Sequence, residues 1–157
     1  MTKTKPSKKS FDILYLAAFL LPVLAMLIIF IIQEIFPFGD RSFLNIDMYH
    51  QYFPFLTEFY HKLKNGESLF YSWNAGIGSN FLALYVYYLA TPTNWLALLC
   101  PEQYLMEFIT YMVVIKIGLC GVSFSYYIRN HFKNSNPLIL CFATMYALSG
   151  YMAAYNW

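Results

Sequence analysis

Of the 157 residues, 59% are apolar and only 11% charged, whereas a soluble domain carries about 25% charged residues. So few charges cannot cover a globule of this length, which excludes an ordinary water-soluble domain. The net charge of +2 says little about partners, and no nucleic acid is expected among them. The composition points instead to an all-α, polytopic transmembrane helical protein of the plasma membrane.

In chain order, residues 1–11 form a basic tail carrying Lys3, Lys5, Lys8 and Lys9. Positive residues before a first span favour a cytoplasmic N-terminus. Residues 12–35 make the first span. Leu14 to Ile32 is almost wholly apolar and uncharged, and about 19 residues suffice to cross a hydrocarbon core about 30 Å thick. The run is too long for a signal-peptide core. Gln33-Glu34-Ile35-Phe36-Pro37 follows it in place of a small-residue cleavage site, so an uncleaved span is expected.

Residues 36–103 read as an extracytoplasmic loop with two interfacial or re-entrant helical regions, about 47–65 and 81–100. In the first, Met48, Tyr52, Phe55, Phe59 and Leu63 fall on one helical stripe, the pattern of a helix lying on a membrane surface. Pro54 kinks it or opens a second helix, and Asn65-Gly66 supplies a stop. The second region is long enough to cross once, but Thr91-Pro92-Thr93-Asn94 interrupts it. Proline removes a helix hydrogen bond and drives the preceding residue out of the α region. Unsatisfied backbone is costly in lipid. The loop charges discriminate the two topologies. Arg129-Asn130-His131-Phe132-Lys133 follows the span at 104–128; if 81–100 does not cross, this basic loop (129–136) is cytoplasmic, and if it crosses, the loop falls outside. The non-crossing arrangement is preferred, and 137–157 then begins a third span. The chain stops within an apolar run at Tyr155-Asn156-Trp157, as expected of the N-terminal part of a longer protein.

Asp47-Met48-Tyr49-His50-Gln51-Tyr52 is the stretch most suited to chemistry. In a helix Asp47 and Gln51 share a face, with the carboxylate at the bilayer edge. Beside a partly apolar wall it can serve as a general base; it can equally be a helix cap. Farther on comes Tyr71-Ser72-Trp73-Asn74, followed by Gly76-x-Gly78-x-Asn80. The glycines allow tight turns but lack the third glycine and strand-helix context of a dinucleotide site. Trp73 and Asn74 fit a sugar by stacking and hydrogen bonding, and they fit a membrane interface as well. Lys116 lies mid-span, where a cation should face the bundle or a watery cavity; it either attracts a lipid phosphate or pairs with an acid elsewhere. Lys62 and Lys64 read as solvated helix charges or phosphate contacts. His50, His61 and His131 lack metal-binding spacing. Cys100, Cys120 and Cys141 lack it too and read as small core residues.

Asp47-x-x-x-Gln51-Tyr52, Gly66, Tyr71-Ser72-Trp73-Asn74, Gly76-x-Gly78-x-Asn80, Tyr87-Tyr88 and Thr91-Pro92 occur in one order. With Lys116-Ile117-Gly118-Leu119 and Gly121, they make the chain resemble the bacterial YfhO-like membrane protein family. Thr91 departs mildly from the serine expected before the proline. The resemblance implies a GT-C-like glycosyltransferase, several times longer than this chain, with interfacial juxtamembrane helices in its first outer loop. It implies transfer of a sugar from a polyprenyl-phosphate carrier to a cell-wall polymer such as lipoteichoic or teichoic acid. Asp47 would then be the catalytic base, with Asp40 as runner-up. Gln51, Tyr52, Trp73, Asn74, Asn80 and Lys116 would contact substrate. No cofactor is expected, and a need for a divalent metal stays open. A transporter or flippase of a lipid-linked substrate, or a non-catalytic membrane subunit, is the alternative.

Overall fold

A computed structural model describes residues 8–133 and 136–155. Lys3, Lys5 and the terminal Asn156-Trp157 lie outside the described residues. What is described is mostly helical and contains no strand, only isolated bridges at Ile35–Arg41 and Ser72–Ser79. The chain divides into two compact units, residues 1–41 with 113–157, and residues 42–112.

The first unit is built on α1 (Lys8–Ile32), the greater part of α4 (Leu105–Phe132), α5 (Ile139–Ala147) and α6 (Gly150–Tyr155). Among the described residues, two helical segments are long and apolar enough to cross a membrane, Ile13–Ile32 and Glu102–Phe132. On α1, Leu16, Leu20, Leu21, Leu24, Ile28 and Ile29 are all exposed. A contiguous apolar surface of this kind has no stable home in water, and lipid is its natural solvent.

Lipid offers no hydrophobic drive for helices to associate, so spanning helices meet through small residues that let backbones approach. Gly118 and Gly121 of α4 do this. A methyl on Gly118 would meet the Phe19 ring and Val23; one on Gly121 would meet the Ala18 carbonyl oxygen and the Pro22 ring. Ala18 and Pro22 are fully buried as a result. Aromatic contacts flank the seam, with Tyr15 and Tyr126 ring centroids 6.3 Å apart and Phe124 stacked on Tyr146 at 4.4 Å. The Arg129 guanidinium lies 5.7 Å from the Tyr15 ring centre.

The second unit packs α2 (Phe53–Asn65) against the segment between Phe81 and Leu99. Gly66 ends α2 in the left-handed region at φ 68°. The later segment is α3 (Phe81–Leu84), a π-helical turn (Tyr85–Leu89), a break at Ala90–Thr91 and a 3-10 helix (Pro92–Leu99). Thr91 is extended, at φ −74° and ψ 129°, the conformation that proline imposes on its predecessor. The core comprises Leu56, Phe59, Tyr60, Phe81, Leu89, Ala97 and Leu105. Phe59 stacks on Tyr85 at 5.2 Å and meets Trp95 edge-on at 5.4 Å; the Trp95 indole donates to the Tyr85 hydroxyl at 3.1 Å. The apolar stripe of α2, which in the sequence suggests a membrane-facing surface, is thus covered by protein: Phe59 is completely buried, and Phe55 and Leu63 pack against the same core.

Because the Gly121 seam closes on backbone, which cannot rotate away as a side chain can, Gly121→Ala should cost about 1–3 kcal/mol through overpacking. Thermal unfolding in detergent is expected to show a lowered midpoint. Gly150→Ala is the matched control, since a methyl there meets nothing within 4 Å.

Candidate functional site

Two polar clusters stand out in the second unit, and they treat their carboxylates in opposite ways. The first begins at Ile46, held in the left-handed region at φ 46°, where a β-branched residue is strained by on the order of 1–2 kcal/mol. This turn delivers Asp47 to the start of a π-helical turn, Met48–Tyr52, whose first amides bond back to the carbonyls of Asn45 and Ile46. Asp47 occupies the cap position, yet its carboxylate makes no cap hydrogen bond. It is exposed and has no hydrogen bond or ion pair among the described residues.

Beside it lies a cluster of phenols. Tyr52 meets Tyr88 edge-on at 5.0 Å, and Tyr87 meets Tyr88 at 4.6 Å. Burial raises the Tyr52 pKa above its ordinary value, and the neighbouring Tyr88, Tyr87 and Asp47 push it the same way. Tyr52 therefore stays a protonated hydrogen-bonding group at any physiological pH. Tyr87 also lines an open groove of about 580 Å³ with Asn80, Leu82, Ala83 and Val86. Asp47, Tyr52 and Tyr87 are thus electrostatic neighbours, and Asn80 shares the groove with Tyr87. Gln51 is half-buried on the same turn.

The second cluster centres on Glu58. Ser72 Oγ donates to Glu58 Oε1, Asn74 Nδ2 donates to Glu58 Oε2 at 2.9 Å, and Lys62 Nζ lies 3.5 Å from Oε1. Lys62 also reaches Glu67 at 3.4 Å and sits 5.7 Å from the Phe81 ring centre. Its side chain is 6% exposed. The sequence reading of Lys62 as a solvated or phosphate-contacting charge therefore gives way to a buried, doubly paired cation. Burial alone would raise the Glu58 pKa, but the hydrogen bonds from Ser72 and Asn74, with the Lys62 charge, outweigh it and hold the carboxyl below its usual value.

This network anchors a hairpin. Ser72 and Ser79 exchange amide bonds at 3.0 and 2.9 Å. Gly76 and Gly78 take φ 66° and 106°, values open to glycine alone without strain. A methyl on Gly78 would collide with the Tyr71 hydroxyl. Asn74 is committed to Glu58, and Trp73 is exposed beside Tyr71, with their rings 4.9 Å apart. Asn80 caps α3, accepting from the Ala83 amide at 3.3 Å.

The remaining sequence candidates belong to the first unit. Asp40 is exposed in the turn closed by the Phe36–Arg41 and Arg41–Glu34 backbone bonds. Lys116 is half-buried on α4. Among the described residues no three His, Cys, Asp or Glu side chains gather as a metal site. Glu58 was missed from sequence, and Lys62 and Ser72 were not read as its partners. Their one local signal was the i, i+4 spacing of Glu58 and Lys62, an arrangement favourable on any helix.

Glu58 gives the second unit a definite acid sensitivity. A carboxyl whose folded pKa is depressed stabilises the fold above its unfolded pKa, here the ordinary 4.5. That contribution disappears as the pH falls through the folded value. The thermal midpoint of the protein should fall as the pH drops from about 5 to below 4.5 and on through the folded value, and Glu58→Gln should flatten that dependence. Equal slopes for the two proteins would remove Glu58 from the acid response.

The family model described as bacterial membrane protein YfhO matches residues 17–157. No curated protein and no solved structure matches the chain significantly. The family match takes in most of the first apolar helix of spanning length, all of the second, the phenol cluster and the glycine seam between α1 and α4. The chain belongs to the family of bacterial membrane protein YfhO.

Proposed function

We propose that this protein is a GT-C-like, inverting glycosyltransferase working at the outer membrane face, and that Asp47 is its general base. The observation that carries the reading is the contrast among the acids of the second unit. Glu58, Glu67 and Glu102 are each held by a cation or hydrogen-bond donor, and Glu107 is half-buried with its Oε2 enclosed and unpartnered. Asp47 alone of these is exposed and uncommitted beside a phenol cluster. A base has to be free to accept a proton, and a structural carboxylate does not.

In this reading the acceptor hydroxyl of a cell-wall polymer, such as lipoteichoic or teichoic acid, gives its proton to Asp47. Its oxygen forms the new bond to the anomeric carbon. The bond from that carbon to the polyprenyl phosphate breaks, and the phosphate leaves with the electron pair. Gln51, Tyr52 and Asn80 orient the sugar or the base. A cation elsewhere in the intact protein balances the leaving phosphate. Trp73 and Asn74 take part through the hairpin that they build. The N-terminus is cytoplasmic, which puts residues 36–103 outside.

A second reading, a carrier of lipid-linked substrates, draws on Lys116, a cation half-buried within a spanning helix; such residues commonly mark transport paths. Turnover separates the two. Intact purified protein given a polyprenyl-phosphate sugar and an acceptor releases free lipid phosphate only if it is a transferase. Asp47→Asn, nearly isosteric at an exposed position, should lower sugar incorporation by about 10²–10⁴-fold while expression and melting behaviour stay unchanged. Full activity in that variant would exclude Asp47 as the base.

A further inference from the structure

We infer that the hairpin Tyr71–Asn80 is a membrane wedge, its Trp73 and Ile77 side chains seated among lipid headgroups and upper acyl chains. The first observation is exposure. Ile77 is 99% exposed, Trp73 77% and Phe70 73%, and all three lie within one short turn. Scattered exposed apolar residues are ordinary, but a concentration of large ones marks a site of contact.

The second observation is charge. From Ser68 to Pro101 the chain contains no Asp, Glu, Lys, Arg or His. Water-facing loops and protein–protein rims both carry charged residues. The mixture here is that of a bilayer interface: an indole and a phenol flanked by Ser72, Asn74 and Asn80, with an aliphatic tip.

The third observation is placement within the second unit. Phe81 closes the hairpin by donating its amide to the Phe70 carbonyl at 3.1 Å. Its ring lies in the same buried cluster as Leu105, the first residue of α4. The hairpin is therefore built onto the start of that helix, which has 28 residues, is about 42 Å long and exceeds a hydrocarbon core of about 30 Å.

Finally, the hairpin is made to hold its shape. Gly76 and Gly78 set the turn, Tyr71 and Trp73 pack over Gly78, and Glu58 grips both Ser72 and Asn74 from below. An apolar tip displayed on a fixed base can insert without first ordering itself, which keeps the entropic cost of insertion small. The bilayer is thus the occupant of this surface.

The test is a spin label at Ile77→Cys in the intact protein, its own cysteines replaced by alanine, reconstituted in phospholipid nanodiscs. Power saturation with molecular oxygen, which concentrates in lipid, and with a water-soluble nickel chelate reads the environment. The wedge predicts relaxation by oxygen several-fold stronger than by nickel. Stronger relaxation by nickel places the tip in water, and protection from both places it under protein; either result overturns the proposal. If the labelled variant folds poorly, Trp73 gives the same readout unaltered. With every other tryptophan changed to phenylalanine, bromine-labelled acyl chains should quench its emission by at least about half, and an absence of quenching overturns the wedge.

Discussion

The second unit depends on how one carboxylate is neutralised. Glu58 sits on α2, largely but not wholly withdrawn from water, and a charge so placed is best tolerated when its oxygens are engaged. Ser72, Asn74 and Lys62 engage them. Each of these contacts has a structural consequence. The two hydrogen bonds come from the hairpin, so satisfying Glu58 fixes the hairpin onto α2. The ion pair draws Lys62 against Phe81, so it also ties α2 to the start of α3. Removing the carboxylate would leave Lys62 dependent on the half-exposed Glu67 and the hairpin without its base.

The spanning region answers a different constraint. Its helices cannot use hydrophobic exclusion to find each other, because their surroundings are as apolar as they are. Close contact of backbones takes over that role, and Gly118 and Gly121 provide it against Ala18, Phe19 and Pro22. The same chain therefore employs glycine in two unrelated ways. On α4 it is valued for lacking a side chain, and in the hairpin and after Asn65 it is valued for reaching positive φ.

Much of this was legible in the sequence. The spanning helices announce themselves through the length of their apolar runs. Thr91-Pro92 announces a break through the missing amide, and Gly66 announces the end of α2. Asp47 could be singled out but not settled, because cap and base share the same residue types and the same position at a helix start. What resisted reading was long-range. The partners of Glu58 stand 14 and 16 residues away, across a turn whose geometry no local pattern encodes. Lys62 looked solvated because periodicity reports which face a residue occupies but not what covers that face. The stripe of α2 looked membrane-facing for the same reason: an apolar face fits lipid and an aromatic core equally well. Membership of the YfhO family agrees with the membrane reading and leaves the chemistry to the site.

The proposed topology has residues 36–103 on the outer side and the basic segment after α4 inside. Cysteine accessibility on intact cells tests this most directly. Lys64→Cys and Lys133→Cys, each introduced singly at an exposed position of the otherwise cysteine-free protein, are treated with a membrane-impermeant maleimide. Labelling of position 64 in intact cells, and of position 133 only after permeabilisation, is the predicted result. Labelling of position 133 in intact cells, with position 64 protected, would contradict the account.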